Sequence, residues 1–180
     1  MLDLEAFVQS FVDHLKTYCG IPRLIRSGVD IPLEQLQTPR IVWDITKSYI
    51  PGNWMPITTW KTVPGTIDPA NFPQDIQKTV ITNPQAIFSF TLYGEPGDSN
   101  NNQYIQKARE WFAISFLGPK FLDNDDVVIA EVSEIQNRSD GTETNPEERR
   151  GFEVTFRFNE KVTTVISAIE HVEGKGTIQT

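Results

Sequence analysis

The stretch from Glu147 to Phe158, EERRGFEVTFRF, decides how this chain is read. Two acids and two bases are followed by Phe152, Val154, Phe156 and Phe158 at alternate positions, with Glu153, Thr155 and Arg157 between them. Successive side chains of an extended strand point to opposite faces, so this period of two predicts a strand with one buried face. The four charges ahead of it admit three readings: a catalytic cluster, an electrostatic handle for a partner, or a charged turn that keeps a hairpin soluble.

Two earlier segments alternate in the same way. RIVWDITK, residues 40–47, puts Ile41, Trp43 and Ile45 on one face, and AIFSFTLY, residues 86–93, runs into the breakers Gly94, Pro96 and Gly97. A further strand is expected from Val127 to Ile135, after the acidic turn DNDD at 123–126. From Val162 to Val172 the apolar spacing suits a helix, but the β-branched and threonine content favours a strand, which is the expectation here.

Helical spacing occurs twice. Leu4, Phe7, Val8, Phe11, Leu15 and Tyr18 form one apolar stripe, with Asp3 placed to cap its start, Gly20 to close its end and Pro22 just beyond. Tyr104, Ala108, Trp111 and Phe112 form a second, capped by Ser99 or Asp98 and stopped by Gly118-Pro119. The region Ser48 to Pro84 is different, with six prolines and two glycines. Proline removes amide donors and interrupts ladders, so this region reads as a long loop or arm with a short strand or hairpin near Ile57 to Val63. Its Trp54 and Trp60 are candidate contacts with a partner, because aromatic residues on such an arm make good anchors.

The order helix, strands, helix, strands, without βαβ alternation or a repeat, implies an α+β fold: a mainly antiparallel sheet with two helices packed on it, plus the Pro-rich excursion at 48–84. The 180 residues suit one domain. Sixteen basic and twenty-four acidic residues give a net charge of −8, which argues against a sequence-independent duplex binder yet is compatible with DNA passing an acidic wall. Cys19 is alone, so no disulfide framework or cysteine-rich zinc site is expected. The amino terminus has no basic run ahead of its apolar residues, and no apolar stretch reaches the roughly 18 residues of a membrane span, so a soluble intracellular protein is expected.

The residues offer little chemistry. His14 and His171 are the only histidines, and neither has a nearby serine or cysteine motif. DNDD lacks the central glycine and distal glutamate of a calcium loop and reads as a solvated turn. No phosphate-cradling or dinucleotide-binding glycine motif occurs, and no catalytic residue, metal or cofactor is expected. Trp43 and Trp111 sit on apolar faces and read as core. With no nucleophile or metal set beside it, the cluster Glu147, Glu148, Arg149 and Arg150 reads as a candidate subunit interface, arginine being suited to bidentate contacts with a neighbour's carboxylate.

TPRIVWDI (38–45), DIQKTVITNPQAIFSFTLYG (75–94), the helix QKAREWF (106–112), IQNRS (135–139) and EERRGFEVTFRF (147–158) together resemble the phage neck or tail terminator proteins. The resemblance rests on the order and spacing of these stretches over roughly residues 38–160, with the first helix also in the expected place. One departure is Arg150, which stands before the glycine where members often carry an aromatic residue. The resemblance implies a structural virion protein, not an enzyme, comprising a single terminator-like domain over 1–180. It implies a homo-oligomeric ring, commonly a hexamer, that ends the tail tube and joins it to a head-connector or stopper protein, with DNA passing through the lumen. It also implies location in the virion neck, assembly in the host cytoplasm and no membrane partner. A head-completion adaptor or a baseplate component of the same particle is the alternative.

Overall fold

The computed structural model describes residues 4–28, 37–50, 56–70, 73–114, 127–139 and 147–167. Asp3, Trp54, Gly118-Pro119, the DNDD turn and His171 lie outside the described residues. The chain divides into two compact units, one formed by Met1–Gly52 with Asn83–Asn159 and the other by Asn53–Thr82 with Glu160–Thr180.

The larger unit contains α1 (Leu4–Cys19), β1 (Leu24–Arg26), β2 (Arg40–Ile50), β5 (Gln85–Gly94), α2 (Asn100–Ala113), β6 (Val127–Val132), β7 (Gln136–Asn137) and β8 (Glu148–Phe158). Its sheet has the order β1-β2-β5-β8-β6, and β7 joins β8 beside β6. Only β1 with β2 is parallel; the other pairings are antiparallel. The expected α+β fold with a mainly antiparallel sheet and two helices is therefore present.

The alternation read in EERRGFEVTFRF sets the core. Phe152, Val154 and Phe156 are fully buried, as are Phe88, Phe90 and Leu92 of β5. Both helices cover this one face. From α1, Phe7 meets Phe156 edge-on at 5.1 Å between ring centroids, and from α2, Phe112 reaches Phe90 at 5.0 Å. Offset and edge-on ring pairs add to the roughly 2–3 kcal/mol that a fully buried phenylalanine contributes through the hydrophobic effect. Trp43 and Trp111 are both in this core. Gly20 closes α1 as expected, at φ 71° with its amide donating to Lys16 O. At the start of α2 the capping side chain is Asp98, whose carboxylate accepts from the Asn100 amide at 2.9 Å, while Ser99 makes no side-chain cap bond.

The smaller unit contains β3 (Ile57–Pro64), β4 (Gln74–Thr82) and β9 (Glu160–Ser167), an antiparallel sheet in the order β3-β4-β9. The strand near Ile57 matches the sequence reading, as does the strand expected from Val162 as far as Ser167; residues 168–172 of that expectation lie outside the described residues. The excursion, read as a long loop or arm with a short strand or hairpin near Ile57 to Val63, also contains the nine-residue strand β4, which extends beyond those bounds. Prolines 64 and 73 bracket the turn between β3 and β4 without entering the ladder interior. Asp75 holds that turn, its Oδ2 accepting from the amides of Thr66 at 2.6 Å and Ile67 at 3.1 Å.

Candidate functional site

The residues 148–150 are part of β8, so the charged cluster is a strand and not a turn. That assignment divides the charges between two faces. Tyr93 pairs with Arg149, whereas Leu92 pairs with Arg150 and Gly94 with Glu148. Since Leu92 points into the core, Arg150 and Glu148 lie on the helix-covered side, and Arg149 lies on the opposite side with Tyr93.

On the helix side, Arg150 Nε meets Glu148 Oε1 at 2.5 Å, and Arg150 also donates to Asn102 Oδ1 of α2. The other Glu148 oxygen accepts from Asn101 Nδ2 at 3.0 Å, and the same nitrogen donates to Glu95 O at 2.7 Å. Asn101 is buried, and its amide occupies the space that a Cβ on Gly94 would fill. A glycine at the end of β5 is thus what lets the first turn of α2 approach the sheet.

On the opposite side, Arg40, Tyr93 and Arg149 form one row across β2, β5 and β8. The guanidinium carbons of Arg40 and Arg149 stand 4.5 and 5.2 Å from the Tyr93 ring centroid. Glu147 approaches both cations, Arg40 at 3.3 Å and Arg149 at 4.0 Å. The Arg40 side chain is only 9% exposed and Glu147 19%, so this pair is largely withdrawn from water, whereas Arg149 and Arg150 remain 28% and 35% exposed. Stacking on a tyrosine suits arginine, whose planar cation is weakly hydrated.

The same face holds a second arginine site. Arg138, next after β7, lays its guanidinium over Gly151, where a Cβ would come within 2.8 Å of it. It donates to Ser89 Oγ at 2.5 Å and Thr91 Oγ1 at 2.8 Å, and lies 3.7 Å from Glu153. Arg40, Tyr93, Asn101 and Arg138 were not singled out by the sequence. The signal that could have found Arg138 is Gly151 itself, a glycine inside an otherwise well-formed strand, which marks a close approach by another group.

Trp60 of β3 is 59% exposed, with the Lys78 ammonium 5.3 Å from its ring centroid. His14 lies on the exposed side of α1. Cys19 is buried among core residues, and burial pushes its thiol from 9.0 up to about 12, which keeps it protonated and unreactive. A groove of about 340 Å³ beside α1 and β1 is bridged by the Arg26–Glu5 ion pair at 2.6 Å. Among the described residues, no three His, Cys, Asp or Glu side chains come together as a metal site, and no helix is long and apolar enough to cross a membrane.

Among the described residues, the large sheet carries braced charges at one end and the small sheet carries exposed apolar side chains. The family model for phage neck terminator proteins matches residues 2–180, and the chain belongs to that family. It is accordingly a structural protein of the bacteriophage tail neck and of the virion. No curated protein matches the chain.

Proposed function

We propose that copies of this chain close into a ring, a hexamer, which terminates the tail tube and joins it to the head-connector or stopper protein, with DNA passing through the lumen. The observation that carries this reading is membership of the neck terminator family over residues 2–180. The protein acts by shape and contact and not by catalysis, and the whole chain serves as one terminator module assembled in the host cytoplasm.

In this reading Glu147, Glu148, Arg149 and Arg150 lie where one subunit meets the next. Bracing by Tyr93, Asn101 and Asn102 supports that role, because it fixes the two partly exposed guanidiniums before contact and lowers the entropy lost on binding. Trp60, and Trp54 on the same arm, contact a neighbouring subunit or ring. The net charge of −8 supports a lumen that DNA passes without adhering. Negative-stain imaging and light scattering at several protein concentrations test the proposal. Closed cyclic particles are expected; a chain that stays monomeric at every concentration overturns it.

A further inference from the structure

The described residues of the three-stranded unit bury no apolar side chain. Among its described residues the sole buried one is Asp75, and that carboxylate is committed to the turn after β3. The unit nevertheless holds seven of the ten exposed large hydrophobic side chains of the described chain. Trp60 and Ile76 share one of its faces, Ile57 and Val165 the other. A small sheet with no buried apolar face is at best marginally stable in water.

Its edges differ from those of the large sheet. There, β1 is only three residues long and β6 carries a register shift between Ile129 and Glu131, both ways of blunting an edge against pairing. In the small sheet the edge strands β3 and β9 are each eight residues long, and each pairs with β4 in an unbroken register. No described residue pairs with the outer edge of either. Long, regular, apolar edges are templates for another strand.

We propose that β3 of one copy pairs with β9 of the next, so that the small sheets of a ring join into one continuous belt of strands. This rests on the ring reading above and names the element that closes it. A second copy is the occupant that fits, because it offers to each edge a strand of the same length. A foreign strand would satisfy one edge and leave the other bare. Head-to-tail pairing of two different edges is heterologous, and when the rotation closes it leaves no free edge in the belt. The side chains suit the seam. Thr59, Thr79 and Thr163 form a row across one face, with the Thr79 and Thr163 hydroxyls 3.3 Å apart. β3 begins Ile-Thr-Thr-Trp and β9 contains Val162-Thr-Thr-Val, so the two edges carry matching patterns with threonines between apolar residues.

The test uses the full chain in two ways. Hydrogen exchange with mass readout compares assembled and dissociated protein, and amides of β3 and β9 are expected to exchange at least tenfold more slowly in the ring. In parallel, cysteines are introduced in pairs: Thr59→Cys with Thr163→Cys, Thr59→Cys with Val165→Cys, and Lys61→Cys with Thr163→Cys. Within one copy β4 separates these positions by two strand spacings, roughly 10 Å, beyond the roughly 7 Å reach of a disulfide. Any disulfide between the new cysteines therefore joins copies, and buried Cys19 does not compete. At least one pair is expected to give a covalent ladder that stops at the ring number. Intact rings with freely exchanging β3 and β9 and no ladder from any pair overturn the seam and leave the ring reading standing. Absence of rings overturns both.

Discussion

The guanidinium of Arg138 lies across the bare Cα of Gly151, bridging β7 to the hydroxyls of Ser89 and Thr91 on β5. Ser89 is itself buried, so this arginine satisfies a polar group on the half-covered sheet face.

Gly151→Ala puts a methyl within 2.8 Å of that guanidinium and lifts it from its two hydroxyl partners. An unhindered strand glycine gains about 0.5–1 kcal/mol on change to alanine, whereas here a loss of about 1–2 kcal/mol is expected from the broken hydrogen bonds. Urea unfolding midpoints measure the sign; stabilisation would show that Arg138 is not held as described.

Glu147→Ala removes one carboxylate from the Arg40 guanidinium, which lies largely withdrawn from water beside Tyr93. A loss of about 1.5–3 kcal/mol is expected, the range for a hydrogen bond to a charged group. Arg149→Ala touches the same cluster at its exposed rim and lowers stability by only about 0.5–1 kcal/mol. Its larger effect is expected on assembly, at least tenfold weaker self-association by light scattering. Equal effects of Arg149→Ala on unfolding and assembly would assign the cluster to the monomer alone.

Cys19 couples stability to alkaline pH. The unfolded thiol ionises near 9.0, while the buried one holds its proton to about 12. Below 9 the thiol is neutral in both states. As pH rises from 9 towards 12 the unfolded chain releases its proton first, so stability declines by up to about 1.4 kcal/mol per pH unit. Cys19→Ala is expected to remove that part of the slope, read from denaturation curves at pH 8, 9 and 10. In the native protein at pH 8 the thiol should resist a disulfide-exchange reagent until denaturant is added.

Asp75 acts in the opposite direction. The Thr66 amide, assisted by the Ile67 amide and the Thr66 hydroxyl, holds its carboxyl below the usual 3.8 against the opposing effect of burial. Its stabilising effect is present above the ordinary carboxylate range and is lost as pH falls through the lowered value. Asp75→Ala should speed amide exchange in β3 and β4 while leaving exchange in β5 and β8 unchanged. Unaltered exchange in β3 and β4 would mean that the turn holds without its carboxylate.

Alternation was clearest where one face is buried, although β3 and β9 of the exposed small sheet were also expected. In β8 and β5, Phe and Leu alternate with polar residues because the helices cover one side, and the stripe Phe7–Phe11–Leu15 marks the face that covers them. β4 was hidden for the converse reason. QDIQKTVIT serves a sheet whose described residues bury no apolar side chain, so its composition carries no strong alternation, and its partner β9 lies some eighty residues away in sequence. β1 is three residues long and exists through parallel pairing with β2, which no local pattern announces. The candidate site was legible as a charge cluster but not as an arrangement. The contact between Arg40 and Glu147 joins residues 107 apart, and the division of EERR between two faces follows only once Arg149 is known to pair with Tyr93.

Native mass spectrometry of the purified full chain, paired with class-averaged images of the same sample, counts the copies and shows whether they close into a ring. A single closed species of six copies with a central hole is expected. A chain that remains monomeric across the concentration range, or one that grows into open polymers without closing, contradicts the proposed ring.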